Sequence, residues 1–161
     1  MINVKPVLTA SLVSLLALGL TAHARAQAGA GDDGLPACVE AAEWSSDPIP
    51  GGTLWAAGGP GGAFVAVKTN AGNLALLSVS ALDTLVLESA QLFTAAGKEI
   101  STKEYLRIPA GSTFDLDTGT ASSDSTADLK WNSDAEGKSL EPLNKAMVYS
   151  CRPSDRRGVV R

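Results

Sequence analysis

Six acidic residues fall close together in the second half of the sequence and could act together. Carboxylate oxygens on a loop are the ligands that Ca²⁺ prefers, so a calcium loop is one hypothesis. The spacing departs from that of an EF-hand, because Gly119 stands fifth, where the pattern wants sixth, and Thr126 takes the twelfth place. We therefore interpret the stretch as a solvated acidic loop that binds a partner, with calcium binding as the alternative. The six residues are Asp115, Asp117, Asp124, Asp128, Asp134 and Glu136.

Within this acidic stretch only Lys130 carries a positive charge. Like charges at this density repel one another, so we expect an extended and mobile loop. Such a loop would be free to bind a basic protein partner. Because salt screens exposed charges, the affinity of that partner should fall as the salt concentration rises.

The only histidine, His23, lies in an N-terminal segment that we expect to be removed. Without an imidazole, the mature chain cannot carry a Ser/His/Asp or Cys/His catalytic set or a histidine-rich zinc site. Paired carboxylates could serve a glycosidase, but no two of them are paired by the sequence, and aromatic residues that could stack on a sugar are few. We predict that the protein is not an enzyme, with no catalytic residues, no bound metal and no cofactor.

The glycine-rich segment "LWAAGGPGGAFVAV", residues 54–67, could be read as a phosphate-binding loop. Such a loop presents its N–H groups to the anion at the start of a helix, with a lysine close behind. Here a strand pattern follows, and Lys68 arrives in mid-strand. The segment is therefore predicted to be a loop that leads into a strand, with glycine permitting a positive φ.

Two cysteines, Cys38 and Cys151, stand at the two ends of the predicted folded region. In an oxidising compartment they are expected to form one disulfide. The alternative, a redox pair or a thiolate metal site, usually places the two cysteines close together in sequence, as in C-x-x-C. The wide spacing favours a structural disulfide.

The N-terminus has the pattern of a secretory signal peptide: Lys5, an apolar run over 7–20, and small residues before a cleavage site. The alternatives are a membrane anchor, for which the apolar run is short, and a lipoprotein attached at Cys38. The signal peptide carries two cations and no acid, so its removal takes the net charge from -4 to -6, which argues against nucleic acid as a partner. We predict a secreted or periplasmic bacterial protein with no membrane span after cleavage. Its segments are a signal peptide (1–26), a flexible leader (27–35), a β-sandwich domain (36–152) and a disordered basic tail (153–161).

The elements that must position these residues are short strands. Alternating apolar and polar residues, separated by Gly, Pro and Asn turns, predict about seven strands and hence an all-β fold, a small antiparallel β-sandwich of cupredoxin-like or Ig-like type with one disulfide. Residues 36–46 could be a short helix or an irregular strand, and "PAGS" (109–112) is predicted to be a type II turn. Alternation places Leu129 and Trp131 inside and Asp128 outside.

Two segments carry a resemblance to a known family. "WAAGGPGGAFVAVKTNAGNLALLSVSA" (55–81) and "LRIPAGSTFDLDTG" (106–119) resemble the periplasmic copper chaperones of the PCuAC type. The resemblance implies a secreted cupredoxin-like sandwich. That family holds Cu(I) with His and Met side chains, soft ligands suited to that ion. In this chain the positions of the first pair fall at Ser89, Ala90, Gln91 and Phe93, and the positions of the second fall in the segment after Asp117, so the copper ligands are missing.

These observations lead to two functional hypotheses. The first is a secreted or periplasmic binding or accessory module that is non-catalytic and resembles a copper chaperone without its metal site. The alternative is a protein-interaction module, such as a secreted inhibitor or a periplasmic immunity protein, that uses an acidic face or an exposed edge strand. In both cases the partner is an unidentified protein.

Overall fold

Two five-stranded sheets account for most of the structure, a computed structural model that describes residues 35–58, 62–81, 84–122 and 125–152. Every pair of neighbouring strands in both sheets is antiparallel, which confirms the predicted all-β sandwich. The elements of the described residues are α1 (Ala37–Glu40), β1 (Ile49–Pro50), α2 (Gly51–Gly58), β2 (Ala63–Lys68), β3 (Leu74–Ala81), β4 (Leu85–Phe93), β5 (Glu99–Ile108), β6 (Thr113–Asp115), β7 (Thr120–Ala121), β8 (Leu129–Asp134), β9 (Gly137–Pro142) and β10 (Met147–Ser150).

The sheet with the longer strands, called the larger sheet, has the strand order β10-β2-β3-β4-β5. The other, called the smaller sheet, has the order β1-β9-β8-β6-β7. Neither α1 nor α2, the two helices of the described residues, has the length and apolar character that crossing a membrane would require. The predicted signal peptide, the predicted tail and all of the predicted leader except Leu35 lie outside the described residues.

The main core is an apolar layer between the two sheets. Side chains alternate along each strand, so every second residue of β2 and β3 points into this layer. From the smaller sheet Leu129 and Trp131 enter it, as the alternation predicts, together with Phe114 and Leu116. Other fully buried members of this core are Leu54, Val65, Val67, Leu77, Val79, Leu85, Leu87, Leu140 and Val148.

The N-terminal segment covers the outer face of the larger sheet and forms a second apolar cluster there. Cys38 in α1 is bonded to Cys151 just after β10, with the two Cα atoms 5.7 Å apart, which confirms the predicted disulfide. Both cysteines are buried, and Tyr149 and Phe93 of the sheet pack in the same cluster. After α1 the chain pairs Ser45 with Val148 beside β10. The segment thus contains both a short helix and a strand-like bridge.

A bulge crosses the larger sheet from β4 to β5. The register between β3 and β4 slips at Ser78 and Val79, and this makes Glu88 an extra residue of β4. On β5, Tyr105 lies opposite Glu88 and has a φ of 55°, a left-handed conformation that is rare for non-glycine residues. On the two sides of this bulge, therefore, different sets of alternate residues in β4 and β5 face the core.

The sequence prediction missed one helix and three short strands. Residues 51–58 form α2 and not the predicted loop, while the strand expected after the glycines is β2. Packing overrides the poor helix propensity of glycine here, because Leu54 is buried in the main core. A Cβ on Gly51 would lie 2.8 Å from the Cβ of Lys138, so the start of this helix lies directly against β9. The strands that were not predicted are β1, β7 and β9.

Candidate functional site

Three of the predicted acidic residues meet at one end of the sandwich. One carboxylate oxygen from each of Asp115, Asp117 and Asp128 lies within 4.8 Å of the other two. Asp115 ends β6 and Asp117 follows in the β6–β7 turn, while Asp128 directly precedes β8. The antiparallel pairing of β6 with β8 places these positions side by side.

Asp128 is the centre of this site, and its predicted outward orientation is wrong. Its exposed fraction is 0%. One carboxylate oxygen accepts a hydrogen bond from the backbone N–H of Asn70 at 2.7 Å, and the other accepts one from the backbone N–H of Leu116 at 2.8 Å. Asn70 lies in the β2–β3 turn of the larger sheet and Leu116 in the β6–β7 turn of the smaller sheet. We call this arrangement the Asp128 joint, because one carboxylate links turns of both sheets.

The environment of Asp128 works against a negative charge. Burial raises the pKa of its carboxyl above the usual value, and repulsion from Asp117 and Asp115 adds to the rise. The hydrogen bonds from the N–H groups of Asn70 and Leu116 lower the pKa, but by less than burial and the two neighbouring acids together raise it. The net result is a carboxyl that holds its proton to a higher pH than an exposed aspartate does.

The other two carboxylates of the group are also hydrogen bonded. Oδ1 of Asp117 accepts from Nδ2 of Asn73 at 2.8 Å and from the Thr69 hydroxyl at 3.3 Å. Oδ1 of Asp115 accepts from the backbone N–H of Thr118 at 3.0 Å. A cation would compete with these donors for the same oxygens. All three carboxylates therefore take part in hydrogen bonds within the protein.

Two asparagines complete the joint, and no sequence pattern predicts their contacts with the residues before Asp128. Nδ2 of Asn70 donates to the carbonyl oxygen of Thr126 at 2.9 Å, and Nδ2 of Asn144 donates to that of Ala127 at 2.9 Å. Both bonds hold the residues just before Asp128. Asparagine is common in turns for local reasons, so its type alone does not predict these long-range contacts.

Of the remaining acidic residues, Asp134 and Glu136 do not join this group, because β7 and β8 divide the stretch between Asp115 and Glu136. Asp134 ends β8 and accepts hydrogen bonds from the backbone N–H groups of Glu136 and Gly137 at 2.9 and 3.2 Å. Asp134 and Glu136 are both exposed in the tight β8–β9 turn. Asp124 lies outside the described residues.

A second region of interest is the edge of the larger sheet formed by β5. Tyr105 is 77% exposed and Ile100 is 49% exposed, and they are the two large exposed hydrophobic residues of the described chain. Glu104 and Arg107 are also exposed on this strand. Tyrosine and arginine are enriched among the residues that contribute most to binding energy at protein interfaces.

The same strand carries features that oppose pairing with another strand. Lys103 lies opposite the buried Ala90, so its side chain points between the sheets, where Nζ donates to the carbonyl oxygen of Thr118 at 2.6 Å. The end of this lysine side chain lies against Gly119, whose φ of 69° favours glycine. Inward-pointing lysines and bulges are devices that protect sheet edges from strand addition. The side chains of β5, more than its backbone, are therefore available for contact.

The positions where the copper-chaperone family would carry its first ligand pair are spread over β4. Ala90 is buried in the main core, and Phe93 is buried in the second apolar cluster, on the outer face of the larger sheet. Gln91 is half-buried, and it pairs with Leu76 on one side and Thr102 on the other. These side chains do not supply a soft ligand pair.

Comparisons with known proteins returned nothing: no protein-family model, no curated protein and no solved structure matches this chain.

Proposed function

We propose that this protein is a secreted or periplasmic, non-catalytic binding module that holds a protein partner through the side chains of β5. The buried disulfide supports an oxidising compartment, because such bonds persist mainly outside the cytosol. The fold supports a scaffold role: the space between the sheets is filled by aliphatic and aromatic side chains. Secreted inhibitors and periplasmic immunity proteins are examples of such modules.

Tyr105 is the observation that carries this proposal. Its side chain is exposed, while its backbone is held at a φ of 55° by the bulge that β4 and β5 share. A left-handed tyrosine costs of order 1–3 kcal/mol, and such strain concentrates at functional positions. The rigid sheet therefore presents an aromatic side chain in a fixed place, with Arg107 nearby on the same strand. Tyrosine and arginine are enriched among residues that dominate binding energy.

The acidic residues support a partner site less well than β5 does. The carboxylates of Asp115, Asp117 and Asp128 already accept hydrogen bonds from the protein itself. A basic partner would have to compete with those donors. Asp134 and Glu136 remain as an exposed acidic turn and form the alternative binding region.

The resemblance to periplasmic copper chaperones gives the second form of the proposal, an accessory module of that type without its metal site. The observation that favours it is the arrangement of the "PAGS" turn, where Gly111 has a φ of 76° and Ser112 N–H donates to the Pro109 carbonyl at 3.1 Å. This turn leads into β6 as the resemblance implies. The accessory module would act by binding another protein and not by carrying Cu(I), since soft ligands are missing from the family positions.

The experiment that tests the proposal begins with capture of a partner by the tagged mature protein from periplasmic extract. The Kd of the purified partner is then measured for the wild type and for Tyr105→Ala. Loss of an aromatic anchor costs about 2 kcal/mol or more, so we expect Kd to rise at least about thirtyfold. Melting temperature should stay within a few degrees, because the removed side chain is exposed.

The control is the double variant Asp134→Asn, Glu136→Gln, which neutralises the β8–β9 turn. We expect it to bind like the wild type. If this variant loses binding while Tyr105→Ala keeps it, the acidic turn is the partner site and the assignment to β5 is wrong.

A further inference from the structure

We propose that Asp128 is a proton-linked joint that holds one end of the sandwich more firmly in acid than at neutral pH. This end, called the turn end, is formed by the β2–β3, β6–β7 and β9–β10 turns. The inference is independent of the proposed binding function. It rests on geometry: the Asp128 carboxyl is fully buried, Asp115 and Asp117 each place a carboxylate oxygen within 4.8 Å of it, and its oxygens accept backbone N–H groups from turns of both sheets. The stability of this end of the molecule would therefore respond to the pH of the compartment.

The geometry makes Asp128 the only direct side-chain link that the described residues show between the N–H of Asn70 and the N–H of Leu116. These donors lie in the β2–β3 turn and the β6–β7 turn. The β9–β10 turn reaches the same place, since the backbone N–H of Leu143 donates to the Asp128 carbonyl at 2.8 Å. Three turns thus meet at one residue that can change its charge.

The charged groups around Asp128 favour its neutral form. Asp115 and Asp117 face it from β6 and the β6–β7 turn, and both repel a negative charge there. The charged residues of the neighbouring elements are Lys68 at the end of β2, Lys145 in the β9–β10 turn and Lys130 in β8. Lys68 and Lys145 are exposed and Lys130 is half-buried, and the burial and carboxylate repulsion outweigh whatever attraction they supply.

Protonation removes the buried charge without removing the joint. The neutral acid can still accept the N–H bonds, because a protonated carboxyl keeps acceptor lone pairs on its oxygens. A carboxyl and a carboxylate that share a site favour one proton between them. The folded protein therefore binds this proton more tightly than the unfolded chain does.

The sign of the pH dependence follows from this difference. An aspartate in an unfolded chain titrates near pH 3.9. Because burial raises the pKa of Asp128 in the folded state, its stabilising contribution is complete below about pH 3.9. That contribution is lost as the pH rises through the folded-state value, and the dependence is flat above it.

The test follows the Asp128 side-chain carboxyl carbon by NMR in the full mature chain as the pH is varied. We expect a midpoint above that of an ordinary aspartate. Asp117→Asn should lower this midpoint, because it removes a repelling charge while its amide oxygen can still accept from Asn73. Asp134→Asn, at the distant β8–β9 turn, should leave it unchanged. A midpoint at or below about 3.9, or one that Asp117→Asn does not lower, would overturn the proposal.

A second measurement tests whether the proton acts on the joint itself. Amide hydrogen exchange of Asn70 and Leu116, corrected for intrinsic rates, should show less protection above the Asp128 midpoint than below it. The amide of Gly97 in the β4–β5 turn, which donates to the Thr94 carbonyl at 2.9 Å, is the matched control and should show no such change. Equal behaviour of all three amides would show that protonation does not loosen the joint, and the proposal would fail.

Discussion

The sandwich is tied together at two places that work by different physics. On the outer face of the larger sheet, the Cys38–Cys151 bond anchors the N-terminal segment covalently within an apolar cluster. At the turn end, the Asp128 joint links turns of both sheets through hydrogen bonds to a buried carboxylate. Reductant breaks the disulfide link and a change of pH does not, whereas a change of pH alters the strength of the carboxylate link and reductant does not. A small domain can thus combine a covalent link that does not depend on pH with a hydrogen-bonded link that does.

Removal of the disulfide should have the largest effect on stability. The bond joins residues 113 positions apart, and closing a loop of that length is worth about 4 to 5 kcal/mol in the chain-entropy model. We expect Cys38→Ser, Cys151→Ser to lower the free energy of unfolding by several kcal/mol, measured by urea denaturation. The loss should be the same at pH 5 and pH 7, since neither sulfur titrates in the bonded state.

The matching chemical measurement is thiol titration of the unfolded, unreduced protein. We expect no free thiol from the described residues. Two free thiols per chain would show that the Cys38–Cys151 disulfide does not form in solution, and the contrast with the Asp128 joint would then fail.

Removal of the Asp128 side chain should have the next largest effect. Asp128→Ala leaves the N–H groups of Asn70 and Leu116 without their acceptor inside the protein, and each such loss costs about 1–3 kcal/mol. Relief from the buried charge offsets part of this cost at neutral pH. We expect a net loss of about 2 kcal/mol in urea denaturation at pH 7, and a larger loss in acid.

The matched control for this variant is Asp134→Ala. Asp134 also accepts two backbone N–H bonds, but it does so on the exposed β8–β9 turn, where water can replace it. We expect a loss of about 1 kcal/mol or less. Equal losses from both variants would mean that burial gives the Asp128 joint no special weight.

The two links also differ in how far they could be predicted from the sequence. The disulfide followed from the presence of two cysteines and an oxidising compartment, and the hairpins followed from alternation and turn residues. Asp128 was placed outside by alternation, but this rule holds only within a strand, and β8 begins at Leu129. Its burial depends on Asn70, which is 58 positions away. Likewise α2 depends on the burial of Leu54 against the core, which outweighs local glycine propensity.

A smaller effect is expected from the turn that adjoins the Asp128 joint. In the β9–β10 turn, Asn144 and Lys145 both have positive φ, 51° and 71°, and Ala146 N–H donates to the Leu143 carbonyl at 2.8 Å. This is the pattern of a type I′ turn, in which glycine is favoured at the second central position. Lys145→Gly should raise the free energy of unfolding by about 0.5–1 kcal/mol. Gly72→Ala is the converse control: Gly72 has a φ of 90°, so an alanine there should cost about 1–2 kcal/mol.

The smallest effect is expected from added calcium, which, if it bound, would change the Asp128 joint from a hydrogen-bonded link into a metal centre. Asp115, Asp117 and Asp128 have the oxygen chemistry for Ca²⁺, but a well-formed site uses six to eight oxygen ligands. Here each oxygen of Asp128 already accepts one backbone N–H group, so three carboxylates with existing hydrogen bonds would have to supply most of the ligands. We therefore expect millimolar Ca²⁺ to leave the melting temperature of the wild type unchanged. Calorimetry in calcium-free buffer, and in the same buffer with added Ca²⁺, measures this. The same titration of Asp115→Asn, Asp117→Asn serves as the control for general ionic effects. A rise of several degrees in the wild type that is lost in this variant would show that the carboxylates rearrange around a cation, and the turn end would then be held by a metal ion.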